Sequence, residues 1–449
     1  MHLVIIGGDA AGMSAASRAR RHLPALEITV LEKTEDVSYS ACGMPYNIAD
    51  ENRDMADLVV RSAQEFRKKQ NITVLTGHYA QKIDIRTKTV SGTTNDGKPF
   101  ECTYDKLCIA TGASPILPDV PGIDLPGIFP LKNLQDGKQI KAYLKSRQVQ
   151  KVVIIGMGYI ALEMCEALCA RNIKVDMVKP RAGLLPWMPV ELSQVVRDCL
   201  NANHVGVYDG HIVQKIEKEN QQFKVFCTTT TLSADMILVA TGVRPNSELA
   251  ARAGISLGAG GAIGVDTQLK TNVDDIYAAG DCADAHHIVT GKSAWIPLAL
   301  RANRAGWAVA DHIAGKKTAL EGITGTAVFK VFDLEVARSG LCVAEAEAAG
   351  FSPESVVINS RSRAHAHPGA STIWVQMVGD KVSGRLLGVQ MVGKEGTAHR
   401  INAAAIALQA QMTVSQFSQA DLAYAPPFGP VWDPMLTAAN QLEKKMPKL

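Results

Sequence analysis

The stretch LVIIGGDAAGMSAASRARR, residues 3–21, decides the fold: an apolar, β-branched run ends in a glycine turn and passes at once into an alanine-rich helical segment. KVVIIGMGYIALEMCEALCARN, residues 151–172, repeats that grammar. Strand, glycine turn and helix open a βαβ nucleotide-binding unit, in which the glycines let the backbone approach a pyrophosphate and the helix N-terminus attracts its charge. One such turn is a weak signal, and two in the same context are a strong one. In the second, Gly156 and Gly158 are in place, Ala161 is a small residue at the third position, and Tyr159 and Ile160 open the helix. In the first, Gly7 and Gly12 hold the outer positions with Gly8 and Ala11 between them. Asp9 takes the middle glycine's place, so its carboxylate is expected to point away from the pyrophosphate.

The strands that follow carry the ribose signals. ITVLEK (28–33) ends in Glu32, twenty residues past Gly12, where a carboxylate binds ribose hydroxyls, and Lys33 follows it. The equivalent strand of the second unit, VDMVKPR (175–181), ends in Lys179 and Arg181, cations that favour the 2′-phosphate of NADPH. Two more segments echo each other, YDKLCIATGASP (104–115) and ADMILVATGVRPN (234–246). Both end in Ala-Thr-Gly, at Ala110, Thr111 and Gly112 and again at Thr241 and Gly242, and read as closing strands where the chain crosses between domains. Residues 116–137 are rich in Pro and Gly, as a connection is. Past about residue 320 the pattern turns to alternating strands (TAVFKVFDLEVARSG, STIWVQMV, RLLGVQMVG) and an Ala-rich helix near 398–411. The expected fold is α/β, with two Rossmann-like dinucleotide-binding domains and a C-terminal α+β domain. Residues 1–112 and 243–320 form the first dinucleotide domain, 113–242 the second, and 321–449 the last.

With 449 residues and 47% hydrophobic content the chain can fill several cores. A formal net charge of only +3, with the RARR run at 18–21 reading as one helix turn, excludes a nucleic-acid surface from the expectations. The N-terminus enters a strand without a basic leader, and no stretch of about 18 uncharged apolar residues follows, so a cytoplasmic protein without a membrane span is expected. Nine cysteines, an odd number with no CxxC, indicate neither a disulfide framework nor a metal site and suit a reducing compartment. Cys165 and Cys169, four apart on a predicted helix, read as small buried residues.

On these residues the chain resembles the two-dinucleotide-domain flavoprotein reductases of the glutathione-reductase superfamily. DIYAAGDCAD (275–284) is similar to that family's second FAD fingerprint. The likeness implies Asp281 on the ribityl or pyrophosphate part of FAD, with Gly280, Pro297, Leu298 and Ala299 as further flavin contacts. GMGYIALE (156–163) is similar to the family's NAD(P) turn, which implies Tyr159 as a gate to the nicotinamide pocket and Glu163 near the flavin. The resemblance runs along essentially the whole chain in the order FAD, NAD(P), FAD, dimerisation domain. It implies FAD, NADPH or NADH, and a homodimer.

SYSACGMPY (38–46) resembles the single-cysteine branch of that superfamily: coenzyme A disulfide reductases, NADH oxidases and NADH peroxidases. Cys42 has no second cysteine before Cys102, and Ala10 stands where the oxidases and peroxidases carry a histidine. AYAPPFGPVWDP (423–434) resembles the coenzyme A disulfide reductase segment whose tyrosine, here Tyr424, reaches the other subunit's active site. His367, in RAHAHPGA, stands where that family has its other active-site tyrosine, and its CoA-contacting lysine is replaced near Trp432. The resemblance also implies that Ser14, Arg18, Arg21, Ser38 and Asn303 line the substrate entrance, with arginines gripping CoA phosphates.

Moving two electrons from a nicotinamide to sulfur needs a relay, because hydride carriers do not attack disulfides directly. Cys42, as a thiolate, attacks a disulfide, expels one thiol and is restored by reduction of the mixed disulfide. That role calls for a depressed thiol pKa, expected from a helix N-terminus at Gly43–Asn47 and from the flavin. Tyr424, stiffened by Pro426 and Pro427, is the expected proton donor to the leaving thiolate. CoA disulfide and related small disulfides, persulfides or polysulfides are the expected substrates. The alternatives are oxygen, reduced through a Cys42 sulfenic acid, and a small iron-sulfur protein that needs no cysteine.

Overall fold

The computed structural model describes residues 1–220 and 222–447. The strand His2–Ile6 is apolar and buried along Leu3–Ile6, which suits the centre of a parallel sheet covered on both faces. It pairs in parallel with Glu27–Leu31 on one side and Lys106–Ile109 on the other. Thr73–Leu75 and Ile276–Ala278 complete the five strands at opposite edges. Lys151–Ile155 occupies the same central place in a second five-stranded parallel sheet, between Lys174–Lys179 and Met236–Val239. Each sheet thus sets its glycine-turn strand between the strand that leads to Glu32 or Lys179 and the strand that ends in Ala-Thr-Gly.

The 116–137 segment is more than a connection. It supplies the edge strand Ile128–Pro130 of the second sheet, parallel to Ile237–Val239, and enters the helix Leu134–Ser146 through an Asn133 cap. Where the two Ala-Thr-Gly strands leave their sheets, Ala113–Pro115 and Val243–Pro245 pair as an antiparallel ribbon. Asn246 laces the crossing: its amide donates to the Thr111 carbonyl at 2.8 Å, and Ser114 donates to its side-chain oxygen at 2.7 Å.

Beyond residue 320 the alternating pattern forms one antiparallel sheet, in the order Ala327–Val331, Leu334–Gly340, Leu386–Gly393, Thr372–Asp380, Pro353–Arg361. The helices Thr397–Gln409 and Pro434–Glu443 bury Ile401, Leu408, Met435 and Leu442 in its core. No helix among the described residues is long and apolar enough to cross a membrane.

The return of the chain to the first sheet is fixed by two helices, Ala10–His22 and Ala299–Ile313, which meet through Ala11, Ala15, Ala302 and Ala305. Gly306 lies so close that a Cβ there would stand 2.2 Å from the carbonyl oxygen of Ala11. Arg301, one turn earlier, is buried and donates to the carbonyls of Gly280 at 2.7 Å and Ala283 at 3.0 Å, so the same helix holds the loop of the second fingerprint. Gly306→Ala should therefore force the helices apart at a cost of about 1–3 kcal/mol, the usual range for overpacking a tight contact. The check is the thermal midpoint together with flavin retention: both should fall, and a wild-type melt would show that the contact relaxes freely.

Candidate active site

The two glycine turns are built alike. Gly7 has φ +111° and Gly156 φ +125°, and a Cβ on either would stand 2.1 Å from the carbonyl oxygen of Ala110 or Ala240, the alanine of its own unit's Ala-Thr-Gly strand. Only glycine permits that approach. A Cβ on Gly158, by contrast, would meet no atom within 4 Å and would project into the open space over the turn, the space a close-lying dinucleotide needs. Neither following helix has its first N–H groups capped by a side chain, which leaves them free to bind an anion.

A cavity of about 520 Å³ opens over the first turn, lined among others by Gly8, Asp9, Glu32, Lys33, Thr111, Lys132 and Asp281. Its walls fit a dinucleotide, with glycine backbone on one side and acceptors for hydroxyls on the other. Glu32 is fixed there: Gly8 N–H donates to it at 2.7 Å, and the Thr34 backbone and hydroxyl each donate at 2.8 Å. Asp9 is among the residues of the cavity wall, and its Oδ1 is buried without a protein partner. Burial pushes its pKa from 3.8 to about 6; the backbone N–H of Tyr39 and Lys132 oppose the shift, and Glu32 and Asp281 add to it. Lys132, which the sequence reading passed over, donates from Nζ to Asp281 at 2.9 Å. No local motif marks it, since the partners lie 149 residues apart.

Cys42 follows Ala41, which lines this cavity, in a 3₁₀ turn, Ala41–Gly43, that runs into the helix Met44–Ala49. Apart from the flavin, which the expectation also invoked, the side chains around Cys42 work mostly against a depressed thiol pKa. Although Cys42 reaches solvent, packing around its sulfur desolvates the thiolate and pushes the pKa up; Glu163 pushes it further, and Lys132 opposes both. Glu163 lies on the helix Tyr159–Cys169, where it accepts a hydrogen bond from the Tyr46 hydroxyl at 3.0 Å. Burial raises its carboxyl to about 7. Tyr159 opens the same helix with its ring 6.1 Å from that of Phe329, and burial followed by Asp281, Cys42 and Glu163 raises its hydroxyl pKa. Cys42, Tyr46, Tyr159 and Glu163 thus share one locus.

The remaining candidates fall into three groups. Ser14 donates to Asn303 at 2.7 Å across the two packed helices. Arg18 is committed through Nε and Nη2 to Asp311, at 2.7 and 2.8 Å, and stacks over Trp307, whereas Arg21 is exposed at the end of its helix. Ser38, at φ +50°, donates its N–H to the Gly8 carbonyl at 3.0 Å and so ties the cysteine loop to the first turn. In the second unit Lys179 turns its Nζ to the Leu184 carbonyl at 2.8 Å, and Arg181 is exposed. His367 and Tyr424 lie on two C-terminal loops joined by a hydrogen bond from Ala364 N–H to the Pro426 carbonyl at 3.0 Å. Tyr424 is 49% exposed, with Phe428 at 78% and Trp432 at 61% beside it in sequence.

Residues 1–306 match the pyridine nucleotide-disulphide oxidoreductase family, and residues 326–435 match that family's dimerisation domain. The chain belongs to this family, whose members use FAD and NAD(P)H. It is 39% identical over 443 residues to a CoA-dependent NAD(P)H sulfur oxidoreductase of Pyrococcus abyssi, covering 98% of each chain. It is 31% identical to a coenzyme A disulfide reductase of Staphylococcus aureus, covering 95% of this chain and 96% of that one. Among solved structures, a NAD-dependent persulfide reductase from A. fulgidus superposes with a TM-score of 0.96 at 37% identity, covering 99% of this chain and 83% of that one.

The Asp9 carboxyl makes a pH prediction. A pKa raised on folding contributes stability that is fully present below the unfolded value, near 3.8, and lost as pH rises through about 6. Asp9→Asn should therefore stabilise flavin-free protein at pH 8 by on the order of 3 kcal/mol, with the advantage fading below about pH 4. Unfolding followed at both pH values measures it, and an equal effect at both would assign the gain to packing instead.

Proposed function

We propose that this protein reduces coenzyme A disulfide, or CoA-linked persulfides and polysulfides, with NAD(P)H through FAD and the single thiol of Cys42. The observation that carries the reading is the placement of Cys42: a free cysteine directly after Ala41 of the dinucleotide cavity wall, at the start of a helix joined to Glu163 of the second unit through Tyr46. The relatives named for CoA-dependent sulfur reduction and for CoA disulfide reduction, similar along nearly their whole length, support the sulfur acceptor.

Gly7, Gly8, Glu32 and Asp281 hold the FAD, and Gly156 and Gly158 the nicotinamide dinucleotide. Lys179 and Arg181 favour NADPH over NADH. FAD, when bound, supplies the two-electron relay from nicotinamide to sulfur. Cys42 attacks R–S–S–R′ as a thiolate, forming Cys42–S–S–R and expelling R′–S⁻, which takes up a proton. Two electrons cleave the mixed disulfide, restore the Cys42 thiolate and release the second thiol. Ser14, Arg18, Arg21, Ser38 and Asn303 form the substrate entrance in this reading.

The protein works as a homodimer. The exposed apolar surface around Tyr424, Phe428 and Trp432 belongs to the part of the chain that matches the dimerisation domain. Through it Tyr424 and His367 reach the other subunit's Cys42, and Tyr424 protonates the leaving thiolate.

Consumption of NADPH and NADH should be measured with CoA disulfide, CoA persulfide, polysulfide and oxygen in parallel. The sulfur acceptors should be turned over, NADPH with the lower KM, and Cys42→Ser should abolish that turnover while sparing any bare-flavin reaction with oxygen. Undiminished disulfide reduction in Cys42→Ser would overturn the mechanism. Tyr424→Phe should slow turnover by about 10²- to 10⁴-fold, the range of a general acid. Mixed Cys42→Ser and Tyr424→Phe subunits should regain activity, since one hybrid site holds both groups; verified heterodimers without recovery would place both residues in one chain.

A further inference from the structure

Residues 421–433, which carry Tyr424, form neither helix nor strand. Pro426, Pro427 and Pro430 remove backbone donors from this stretch, so its place depends on donors that other elements bring to it. Arg400, in the first turn of the helix Thr397–Gln409, brings them: Nη2 donates to the Phe428 carbonyl at 2.6 Å and Nε to Asp433 at 2.7 Å. The same guanidinium reaches the loop 362–371, which carries His367, through the Ser362 carbonyl at 3.4 Å, and turns back to the Gly396 carbonyl at 3.0 Å. Asp433 in turn caps the last helix, accepting from the Met435 N–H at 2.9 Å.

The slot is shaped for this side chain. Arg400 and Asp433 each leave only 13% of their side chains exposed. A Cβ on Gly396 would overlap Nη1, and one on Gly429 would stand 3.0 Å from Nη2, so both glycines leave the room that the guanidinium fills. Its planar fork meets acceptors in several directions at once, which the single nitrogen of a lysine does not match. Glu395, just before the first of these glycines, grips the His367 loop again: it accepts from Arg363 at 2.6 and 2.7 Å and from the Ser362 hydroxyl at 2.9 Å. The start of the helix is itself anchored, because the Ala398 N–H donates to Glu335 of the C-terminal sheet at 2.8 Å and Ile401 is buried in the core. One fixed helix end therefore sets both loops.

We infer that Arg400 is a positioning residue whose guanidinium presents the Tyr424 and His367 loops to the other subunit's Cys42. The inference rests on the reading that both loops reach across the dimer. Arg400 makes and breaks no bond of the substrate; it fixes where the Tyr424 hydroxyl stands, and a misplacement of about 1 Å costs on the order of 10²-fold in rate. It acts on the opposite site, so its loss spares the Cys42 and the flavin of its own chain.

Steady-state kinetics of FAD-loaded dimers with NADPH and CoA disulfide test this in Arg400→Lys, which keeps the charge, and in Arg400→Ala. In a ping-pong reaction the two half-reactions separate. Arg400→Lys should lower kcat/KM for the disulfide by about 10²-fold and leave kcat/KM for NADPH as in wild type. Arg400→Ala should do the same and regain disulfide turnover with added guanidinium ion but not with ammonium; should it fail to fold, Arg400→Lys carries the comparison. No loss, or equal losses for both substrates, would overturn the role. Arg400→Lys subunits paired with Cys42→Ser subunits should regain activity, because one hybrid site joins an intact Cys42 to an intact Tyr424 loop. Paired with Tyr424→Phe they should not, since each hybrid site then keeps one defect. The reverse pattern would overturn the inference. Absence of recovery between Cys42→Ser and Tyr424→Phe would instead remove the cross-subunit reading beneath it, so the two failures are distinct.

Discussion

A backbone contact that no side chain allows organises both halves of this molecule. At Gly7 and Gly156 the turn after the central strand presses onto the carbonyl of the Ala-Thr-Gly strand, Ala110 in one sheet and Ala240 in the other, at a separation where a Cβ would overlap it. The contact brings the turn down onto the sheet, and the helix after it starts with its N–H groups directed over the strand ends. From there the two Ala-Thr-Gly strands run into one antiparallel ribbon laced by Asn246. The geometry that makes each turn thus also sets where the chain crosses from one sheet to the other.

What was legible in the sequence followed from this constraint. Glycine spacing, buried β-branched runs and the paired Ala-Thr-Gly endings are local signals, and they marked the opening and closing strands of both parallel sheets. The antiparallel C-terminal sheet was legible in its period-two alternation, although Pro353–Arg361 was missed because its exposed positions blur that pattern. Ile128–Pro130 was hidden for another reason: three residues between prolines and glycines carry no period at all.

The site was legible only in part, and the division is again one of distance. Cys42 and Glu32 announce themselves by motif, whereas Lys132 with Asp281 and Tyr46 with Glu163 are joined across 149 and 117 residues by packing that no spacing rule encodes. Asp9 shows a different limit. A carboxylate in place of a glycine reads only as something to be turned from the pyrophosphate, and no spacing rule foretells that burial and two neighbouring acids push its pKa up to about 6.

Electrostatics then link protection to reactivity. Asp9, Glu163 and Asp281 each raise the Cys42 pKa, and Lys132 alone among its main influences lowers it. Oxidation proceeds through the thiolate, so groups that disfavour the thiolate also slow sulfenic and sulfinic acid formation. Shelter matters more for a lone cysteine than for one of a pair, since no neighbouring thiol can resolve an oxidised sulfur. Two of these acids have carboxyls raised by burial towards neutrality, Asp9 to about 6 and Glu163 to about 7. The charge that Cys42 meets therefore changes with pH through carboxyl groups that are not themselves the nucleophile.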